Sequence, residues 1–293
     1  MEITYKSIEE IVEIATNSGK KISDIVLEEQ SKTLEIEQSV LFDRMYAQYK
    51  IMEQAWLDGR EEDVRSNSGL TGGDAFKMSK YRLLGNALTG EVLPLAMEIA
   101  LAISEWNAAM GRIVAAPTAG SCGILPAALL SLEKTKGYTR HDCVKALFSA
   151  SAIGMVIANV ATVSGAEGGC QAECGAASAM AAACIVELAG GTPSQVADAA
   201  AIALKCILGL VCDPVAGLVE IPCIKRNASG VMNAFMAAEL ALAQIESYIP
   251  VDEVIVAMKQ VGNAMPCSLK ETAEGGLATT PTGRKLCKKV FGI

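Results

Sequence analysis

Apolar residues recur along most of this chain at the three- and four-residue spacing of amphipathic α-helices. Ser7 and Glu10 form a capping box in front of "IEEIVEIATNSG", and Gly19 is a helix stop signal. The next apolar pattern predicts one long helix over 22–58, ending at Gly59. Further helices are expected over 78–84, 91–110, 139–160, 170–188, 194–210, 223–247 and 251–265. No stretch has the two-residue alternation of a half-buried strand, so the pattern predicts an all-α fold.

The composition adds tight packing to this picture. Hydrophobic residues make up 51% of the 293 residues but aromatic residues only 4%, and stretches such as "SAMAAACIVELAGG" are rich in Ala and Gly. Small side chains let helix axes approach closely, which allows a dense core with few rings. We therefore expect one all-helical domain over 1–293, with 1–60 as an N-terminal helical cap and functional residues in the loops between helices.

The net charge and the N-terminal sequence argue against nucleic-acid binding and against secretion. The chain has 33 acidic and 25 basic residues and a net charge of −8, whereas a nucleic-acid-binding surface needs a basic stripe. The acidic, amphipathic start shows no basic segment followed by an apolar run and a cleavage site, so we expect no signal peptide and a cytoplasmic location. The sequence thus predicts no nucleic-acid partner. Its ten cysteines are expected to stay reduced, as packing residues, reactive thiols or metal ligands.

Residues 146–166, "ALFSASAIGMVIANVATVSGA", form an uncharged run long enough to cross a bilayer. The run is rich in Ser, Gly, Thr and Asn rather than Leu and Ile, and a Gly-rich loop with a glutamate follows it. Because the hydrophobic signal is weak for its length, we interpret the run as a buried core helix and expect no membrane span.

Three cysteines stand at the ends of predicted helices. Cys170 opens a helix after "SGAEGG", Cys223 opens another behind a proline, and Cys212 follows a helix finishing near 210. A helix N-terminus favours a thiolate at Cys170 and Cys223, because its unpaired N–H groups carry partial positive charge. Cys174 lies one turn after Cys170, and this pair could also hold a metal. Cysteines inside Ala-rich helices are instead interpreted as packing residues, namely Cys184 and Cys206.

The scarcity of the other usual zinc ligands indicates which kind of metal site these cysteines would form. The compact Cys-x-x-Cys pairs of zinc sites are absent, and the only histidine is His141. His141 falls in a predicted first helical turn, where a solvated side chain is expected. Widely spaced thiolates without histidine suit an iron–sulfur cluster better than zinc.

Four motifs, in this order, make the chain resemble a known family. They are "SGLTGGDA" (68–75), "APTAGSCGILPA" (116–127), "SGAEGGCQAECG" (164–175) and "CDPVAGLVEIPCIKRN" (212–227). Together they are similar to the α chain of iron–sulfur-dependent L-serine dehydratase, over essentially the whole chain. The resemblance implies a [4Fe–4S] cluster held by Cys170, Cys212 and Cys223, at separations of 42 and 11 residues, and so selects Cys170 over Cys174.

The resemblance also implies a reaction and a partner. One iron without a cysteine ligand would act as a Lewis acid on the hydroxyl of L-serine while a base removes the α-proton, and loss of water and hydrolysis would give pyruvate and ammonia. A regulatory or β region that single-chain members carry is missing here, which implies a separate β chain in a heterodimer or larger assembly. No convincing base is visible, so we expect the β chain to supply it. No pyridoxal phosphate is expected, because no strands are predicted to build its α/β scaffold.

The loops of the first two motifs are the predicted substrate site. Their glycines let backbone N–H groups approach an anion, and hydroxyl groups flank them. The residues assigned to substrate binding are Ser68, Thr71, Gly72, Thr118, Ser121 and Asn159. A role as helix-joining turns is an equally open interpretation of the loops. Glu167 and Arg226 could bind substrate, orient ligands or serve structure alone.

Two other functions remain open at this level. A related iron–sulfur lyase, such as an L-cysteine desulfidase, would have similar helices and another substrate, and a non-enzymatic helical subunit would bind no iron. In single-chain members of the family a C-terminal cysteine can reach the fourth iron. Here the tail continues past Cys287 as "KKVFGI", so we do not expect that role for Cys287.

Overall fold

The computed structural model describes residues 5–292, and the regular structure in that range is helical. The α-helices are α1 (Ile8–Ser18), α2 (Ile22–Leu34), α3 (Gln38–Gly59), α4 (Asp74–Leu83), α5 (Val92–Ala108), α6 (Ile124–Lys136), α7 (Arg140–Val160), α8 (Gly165–Gly168), α9 (Ala176–Leu188), α10 (Pro193–Lys205), α11 (Cys223–Leu242), α12 (Val251–Ala264) and α13 (Pro281–Phe291). A π-helical turn covers Gln171–Gly175, and 3₁₀ turns cover Val215–Gly217, Cys267–Leu269 and Gly276–Thr279. Within 5–292 there is no strand, only an isolated bridge between Cys212 and Lys270. The predicted all-α fold is confirmed.

Helix α9 lies at the centre of the molecule. Every residue from Ala176 to Glu187 is buried, and the helix packs against α6, α7, α10 and α11. A helix that is apolar on all sides is stable only when enclosed, and its alanines let the neighbouring helices approach closely. The buried Glu187 accepts hydrogen bonds from Ser149 Oγ (2.6 Å) and Ser23 N (3.1 Å), so this charge also joins α9 to α7 and α2.

Helix α7 contains most of the long uncharged run. By length and composition it could cross a membrane, yet 67% of its most apolar window is buried inside the protein. Its main neighbour is α9, and α2 and α3 also pack against it. The structure therefore supports its interpretation as a core helix.

Helix α1 begins and ends as predicted. Ser7 Oγ accepts a hydrogen bond from Glu10 N (3.1 Å), and Gly19 ends the helix with φ +65°. On its inner face, Ile8 and Ile11 are fully buried and belong to the same apolar core as the central helices. The N-terminal helices therefore share one core with the rest of the described chain.

The prediction of a single helix over 22–58 is wrong. Glu35 adopts φ +54°, a left-handed conformation that ends α2, and α3 starts again at Gln38. Ile36 N then donates to Ser31 O (3.1 Å), which satisfies a carbonyl group at the end of α2. The apolar pattern continues across this break, which explains why it was not visible in the sequence.

Helices α6, α8 and α13 were not predicted, and α10 and α11 are shorter than expected. α6 has Pro126 in its first turn, where the missing N–H is tolerated, so the proline-containing loop runs directly into a helix. α10 ends at Lys205 rather than 210, and α11 ends at Leu242 rather than 247, where Gln244 has φ +65°. Cys206 is therefore an exposed residue after α10, which corrects its assignment to a helix interior.

Helix α4 begins at Asp74, four residues earlier than predicted. Glu105 on α5 accepts hydrogen bonds from Asp74 N (2.8 Å) and Ala75 N (3.1 Å), and so caps α4 from another element. Gly73, at φ +79°, turns the chain into this helix. A cap supplied by a distant helix leaves no local signal in the sequence.

Candidate active site

Cys170, Cys212 and Cys223 are positioned by three different elements. Cys170 immediately precedes the π-helical turn, and Cys223 is the first residue of α11. Cys212 lies in an extended segment, where its N–H donates to Leu269 O (2.8 Å) and its carbonyl accepts from Glu271 N (2.8 Å). The position of Cys212 thus depends on the segment before α13, because α10 ends well before it.

The three thiols are buried and close enough to influence one another. Their exposed fractions are 2%, 2% and 6% for Cys170, Cys212 and Cys223. Burial raises the pKa of Cys212, and the charges of Cys170, Glu271 and Cys223 raise it further. Burial and the charge of Cys170 raise the pKa of Cys223 to about 12. Mutual electrostatic effects of this kind indicate that residues far apart in sequence meet at one place.

Cys174 lies directly beside Cys170. Their sulfur atoms are 3.3 Å apart, within hydrogen-bond distance for thiols. The hydrogen bond lowers the pKa of Cys170 and, together with burial, raises that of Cys174. The contact therefore makes Cys170 the more acidic thiol of the pair.

Arg226 supplies positive charge next to these thiols. Its guanidinium donates to Val211 O (2.8 Å) and to Asp213 Oδ1 (2.8 Å), which fixes it in place. Burial acts to lower the pKa of Arg226, but the charges of Cys170 and Asp213 outweigh burial and hold it above its ordinary value. A fixed guanidinium offsets the negative charge that several neighbouring thiolates would create.

The three cysteines supply the type of ligand that iron–sulfur clusters take from proteins. Throughout 5–292, no three His, Cys, Asp or Glu side chains are grouped tightly enough to hold one ion. A cluster of several irons takes its thiolates at separate corners, so they stand further apart than ligands of one ion. All ten cysteines are among the described residues, and none of them forms a disulfide bond. His141 is exposed, and its ring stacks on that of Phe42 with a centroid distance of 4.7 Å.

The loop that carries Ser68 and Thr71 is anchored to the segment between Cys212 and Cys223. Both hydroxyl groups donate to Glu220 Oε2, at 3.0 Å from Ser68 and 2.7 Å from Thr71. Glu220 is only 6% exposed. Gly72 in this loop has φ +134°, and a Cβ there would collide with the Val64 carbonyl oxygen. The structure therefore attaches this loop to the segment just before Cys223, through a carboxylate that the sequence analysis did not single out.

The second loop is anchored to the π-helical turn. Thr118 Oγ1 donates to Glu173 Oε1 (2.5 Å) and lies 3.0 Å from Ser121 Oγ. Because Thr118 has one proton, Ser121 is the donor in the second contact. Burial raises the pKa of Glu173, although the hydrogen bond from Thr118 opposes this shift, and the charge of Glu271 adds to it. The signal for Glu173 was present in the sequence, since it stands three residues after Cys170.

Asn227 connects the second loop to α11. Its amide nitrogen donates to Gly120 O (2.7 Å) and Cys223 O (3.0 Å), and its amide oxygen accepts from Gly123 N (2.9 Å). It is 1% exposed, so these bonds are made away from water. Asn227 was also missed by the sequence analysis, although it closes the last of the four motifs.

Two other candidates lie apart from this network. Asn159 is exposed near the end of α7, and its side chain makes no hydrogen bond to any residue in the described part of the chain. Glu167 is exposed and accepts from Thr162 Oγ1 (2.6 Å). Their roles at the substrate stay predictions.

Comparison with known proteins identifies the family. The family model described as serine dehydratase alpha chain matches residues 17–278. A probable L-serine dehydratase alpha chain of Bacillus subtilis is 51% identical over 288 residues, covering 98% of this chain and 96% of that protein. The L-serine dehydratase alpha chain of Peptoniphilus asaccharolyticus is 45% identical over 277 residues, covering 94% and 95%. This chain belongs to the serine dehydratase alpha chain family.

Relatives of the serine dehydratase alpha chain family also occur within longer proteins. An L-serine dehydratase of Streptomyces coelicolor is 46% identical over 195 residues, which is 64% of this chain but only 43% of that protein. Membership of the serine dehydratase family confirms the resemblance that the four motifs indicated and makes this a lyase chain.

Proposed function

We propose that this chain is the α chain of an L-serine dehydratase that converts L-serine into pyruvate and ammonia. The observation that supports this most directly is the meeting of three buried thiols from separate elements beside Arg226. Family membership over 17–278 supports the same reaction.

Cys170, Cys212 and Cys223 would hold a [4Fe–4S] cluster in this enzyme. When bound, the cluster supplies a Lewis acid at the iron without a cysteine ligand, which polarises the hydroxyl group of the substrate. The donor set of three buried thiols with an adjacent guanidinium is what supports this cofactor.

The neighbouring residues prepare the thiolates. A cysteine that ligates iron has no proton, so Cys174 donates the hydrogen bond to Cys170 in the proposed enzyme. Arg226 stays charged because Asp213 and Val211 O hold it next to the sulfurs. Both contacts stabilise negative charge in a buried place.

The two motif loops would bind the carboxylate of L-serine. Glycine N–H groups and hydroxyl groups are donors for an anion, and the loops carry the assigned residues Ser68, Thr71, Gly72, Thr118 and Ser121. Anchoring through Glu220 and Glu173, which lie on the same segments as the cysteines, supports a place for these loops next to the thiols. Asn159 would complete the set from α7.

A β chain would supply the base that removes the α-proton. The only histidine, His141, is exposed at the start of α7 and tied to no cysteine. Relatives that are named alpha chains support a partner chain, and so does the Streptomyces coelicolor protein, of which this match covers only 43%. We therefore propose a heterodimer or a larger assembly that contains both chains.

The proposal is tested by anaerobic purification with iron and sulfide analysis, followed by a pyruvate assay on L-serine with and without the β chain. We expect the α chain alone to hold the cluster and to turn over slowly, and the complex to be fully active. Absence of iron, a pyridoxal absorption band, or full activity without the β chain would each contradict one part of the proposal. L-cysteine is assayed in parallel, because preferred release of sulfide would instead indicate a desulfidase.

A further inference from the structure

Glu173 is a partly buried carboxylate that accepts a hydrogen bond on one of its two oxygens only. Its Oε1 accepts the hydrogen bond from Thr118 Oγ1 (2.5 Å), and a Cβ placed on Gly120 would lie 2.5 Å from the same oxygen. The same Cβ would lie 2.9 Å from Oε2, so the second loop closes tightly over the whole carboxylate. Among the described residues, none donates a hydrogen bond to Oε2.

The free oxygen points to the space over Gly165, beside a proposed cluster ligand. A Cβ placed on Gly165 would lie 3.5 Å from Glu173 Oε2, 3.2 Å from Cys212 Sγ and 3.4 Å from Glu271 Oε2. One thiol and two carboxylates thus border the same small volume. The charge of Arg226 also acts on Glu173, but the guanidinium directs its hydrogen bonds to Asp213 and Val211 O.

Within the described chain, Glu173 Oε2 receives no hydrogen bond and is not fully buried, so it is accessible to a bound cationic donor, and hydrogen bonds between charged groups are the strong ones. The substrate of the proposed reaction carries such a donor, because L-serine has an α-ammonium group with three N–H bonds. Its carboxylate is attached to the same carbon atom. Glu173 is hydrogen-bonded to Thr118 of the loop assigned to that carboxylate. One connected hydrogen-bond network would therefore bind both the α-ammonium group and the carboxylate of the substrate.

We propose that Glu173 Oε2 receives the α-ammonium group of the substrate and makes the site select amino acids over acids that lack the amino group. The inference rests on the proposed function and adds a residue that determines specificity. It also explains why Gly165 has no side chain, since a Cβ there would occupy the space between Cys212 and the two carboxylates.

The experiment compares L-alanine with propionate in the cluster-loaded αβ complex. The two ligands differ only in the α-ammonium group, and neither has a hydroxyl group to eliminate, so calorimetry gives their dissociation constants without turnover. In the wild-type complex we expect L-alanine to bind about 10- to 100-fold more tightly, the range of one hydrogen bond between charged groups. Glu173→Gln should reduce this preference to below about threefold, and propionate should bind as well or better because a negative charge is gone.

Two variants distinguish the effect of the Glu173 charge from the effect of anchoring the loops through carboxylates. Thr118→Val removes the hydrogen bond to Oε1 but keeps the carboxylate, so the preference for L-alanine should persist. Glu220→Gln, which changes the carboxylate under the other loop, should weaken both ligands equally. Iron content and circular dichroism of each variant establish that the site is assembled. If the Gln variant does not fold, the two ligands are measured on Glu173→Asp, which keeps the charge.

The outcomes distinguish this inference from the proposed function. If the wild-type complex is active on L-serine and Glu173→Gln keeps the full preference for L-alanine, the role of Glu173 is overturned and the proposed function stands. An equal loss for both ligands would make Glu173 only a support of the loop. A large fall in kcat with the preference unchanged would make it the base. A wild-type complex that forms no pyruvate would overturn the proposed function and this inference with it.

Discussion

Cys184 and Cys170 are both buried, yet their neighbours give them opposite chemistry. Cys184 Sγ donates to Ala146 O (2.9 Å), and burial raises its pKa, so it remains a neutral packing residue. The hydrogen bond with Cys174 lowers the pKa of Cys170, and Arg226 acts in the same direction. At the scale of single residues, the surrounding charges and hydrogen bonds therefore shift the pKa values of two buried thiols in opposite directions.

Replacing Cys170, Cys212 or Cys223 by alanine is expected to abolish cluster binding, because each would remove one of three thiolate ligands. The measurement is iron and sulfide per chain after anaerobic purification. Cys184→Ala is the matched control and should keep the cluster, as should Cys174→Ala. Iron retained by Cys212→Ala, or lost from Cys184→Ala, would show that the assigned ligand set is wrong.

Asn227→Ala is expected to lower the free energy of unfolding by about 2 kcal/mol, because it leaves buried backbone groups without partners. It should also reduce the iron content, since Cys223 O and the second loop lose their common anchor. Urea unfolding and iron analysis measure the two effects.

Asn233→Ala is the control for this prediction. Asn233 lies on the same helix and donates to Ser178 Oγ (2.8 Å) and Ala203 O (2.9 Å), away from the cysteine at the start of that helix. It should be destabilising to a similar degree and keep its iron. Equal iron loss in both variants would indicate general destabilisation rather than a local role for Asn227.

At the scale of elements, charged residues join helices that the apolar pattern leaves unconnected. Glu53 on α3 accepts hydrogen bonds from Lys134 on α6 (3.0 Å) and from Arg140 on α7 (2.7 Å). Burial acts to raise the pKa of Glu53, but the hydrogen bonds from Lys134 and Arg140 outweigh it, so the pKa is lowered. This carboxylate therefore fastens the N-terminal helices to the main part of the molecule.

Glu53→Gln should lower the free energy of unfolding at pH 7 by about 1 kcal/mol, as expected for a partly exposed ion-pair network. Because the pKa of Glu53 is lower in the folded than in the unfolded protein, its contribution is present above the unfolded pKa of about 4.3 and is lost as the pH falls through the folded pKa. Urea unfolding of both proteins between pH 7 and pH 3 measures the difference.

Asp43→Asn changes an exposed acidic residue of the same helix and should have little effect at any pH. A difference between Glu53→Gln and the wild type that stays constant with pH would point to lost packing and would contradict the electrostatic role.

At the scale of the whole molecule, one apolar core extends from α1 to α12. It includes Ile8 and Ile11 of α1 together with the central alanines of α9 and Met258 of α12. A continuous core makes separate unfolding of the N-terminal helices costly, because their removal would expose apolar faces of α7 and α10, against which α1 packs.

We therefore expect thermal unfolding in a single cooperative transition, with the same midpoint by circular dichroism and by tryptophan fluorescence. The two tryptophans are Trp56 and Trp106, and Trp56 belongs to α3, so fluorescence reports on the N-terminal helices as well. An earlier transition seen only by fluorescence would indicate that 1–60 unfolds independently.

The helical character and the cysteine ligand set could be proposed from the sequence. The helix boundaries and the residues that anchor the site loops could not. The break at Glu35 lies within an unbroken apolar pattern, and α6 begins inside a segment that its prolines and glycines had marked as irregular. The assigned hydroxyls of Ser68 and Thr118 turned out to be held by Glu220 and Glu173. Both carboxylates stand in the quoted motifs, yet their partners are far away along the chain.

The sequence by itself determined that this protein is all-α, that small residues pack its core, and which family its four motifs belong to, because periodicity and motif spacing are local properties of the chain. Only the tertiary structure decided that Cys212 is held by the segment before α13, that Glu105 caps α4, and that Glu173 keeps one oxygen free beside Gly165. These features depend on contacts between residues distant in sequence, and such contacts exist only after the helices have packed.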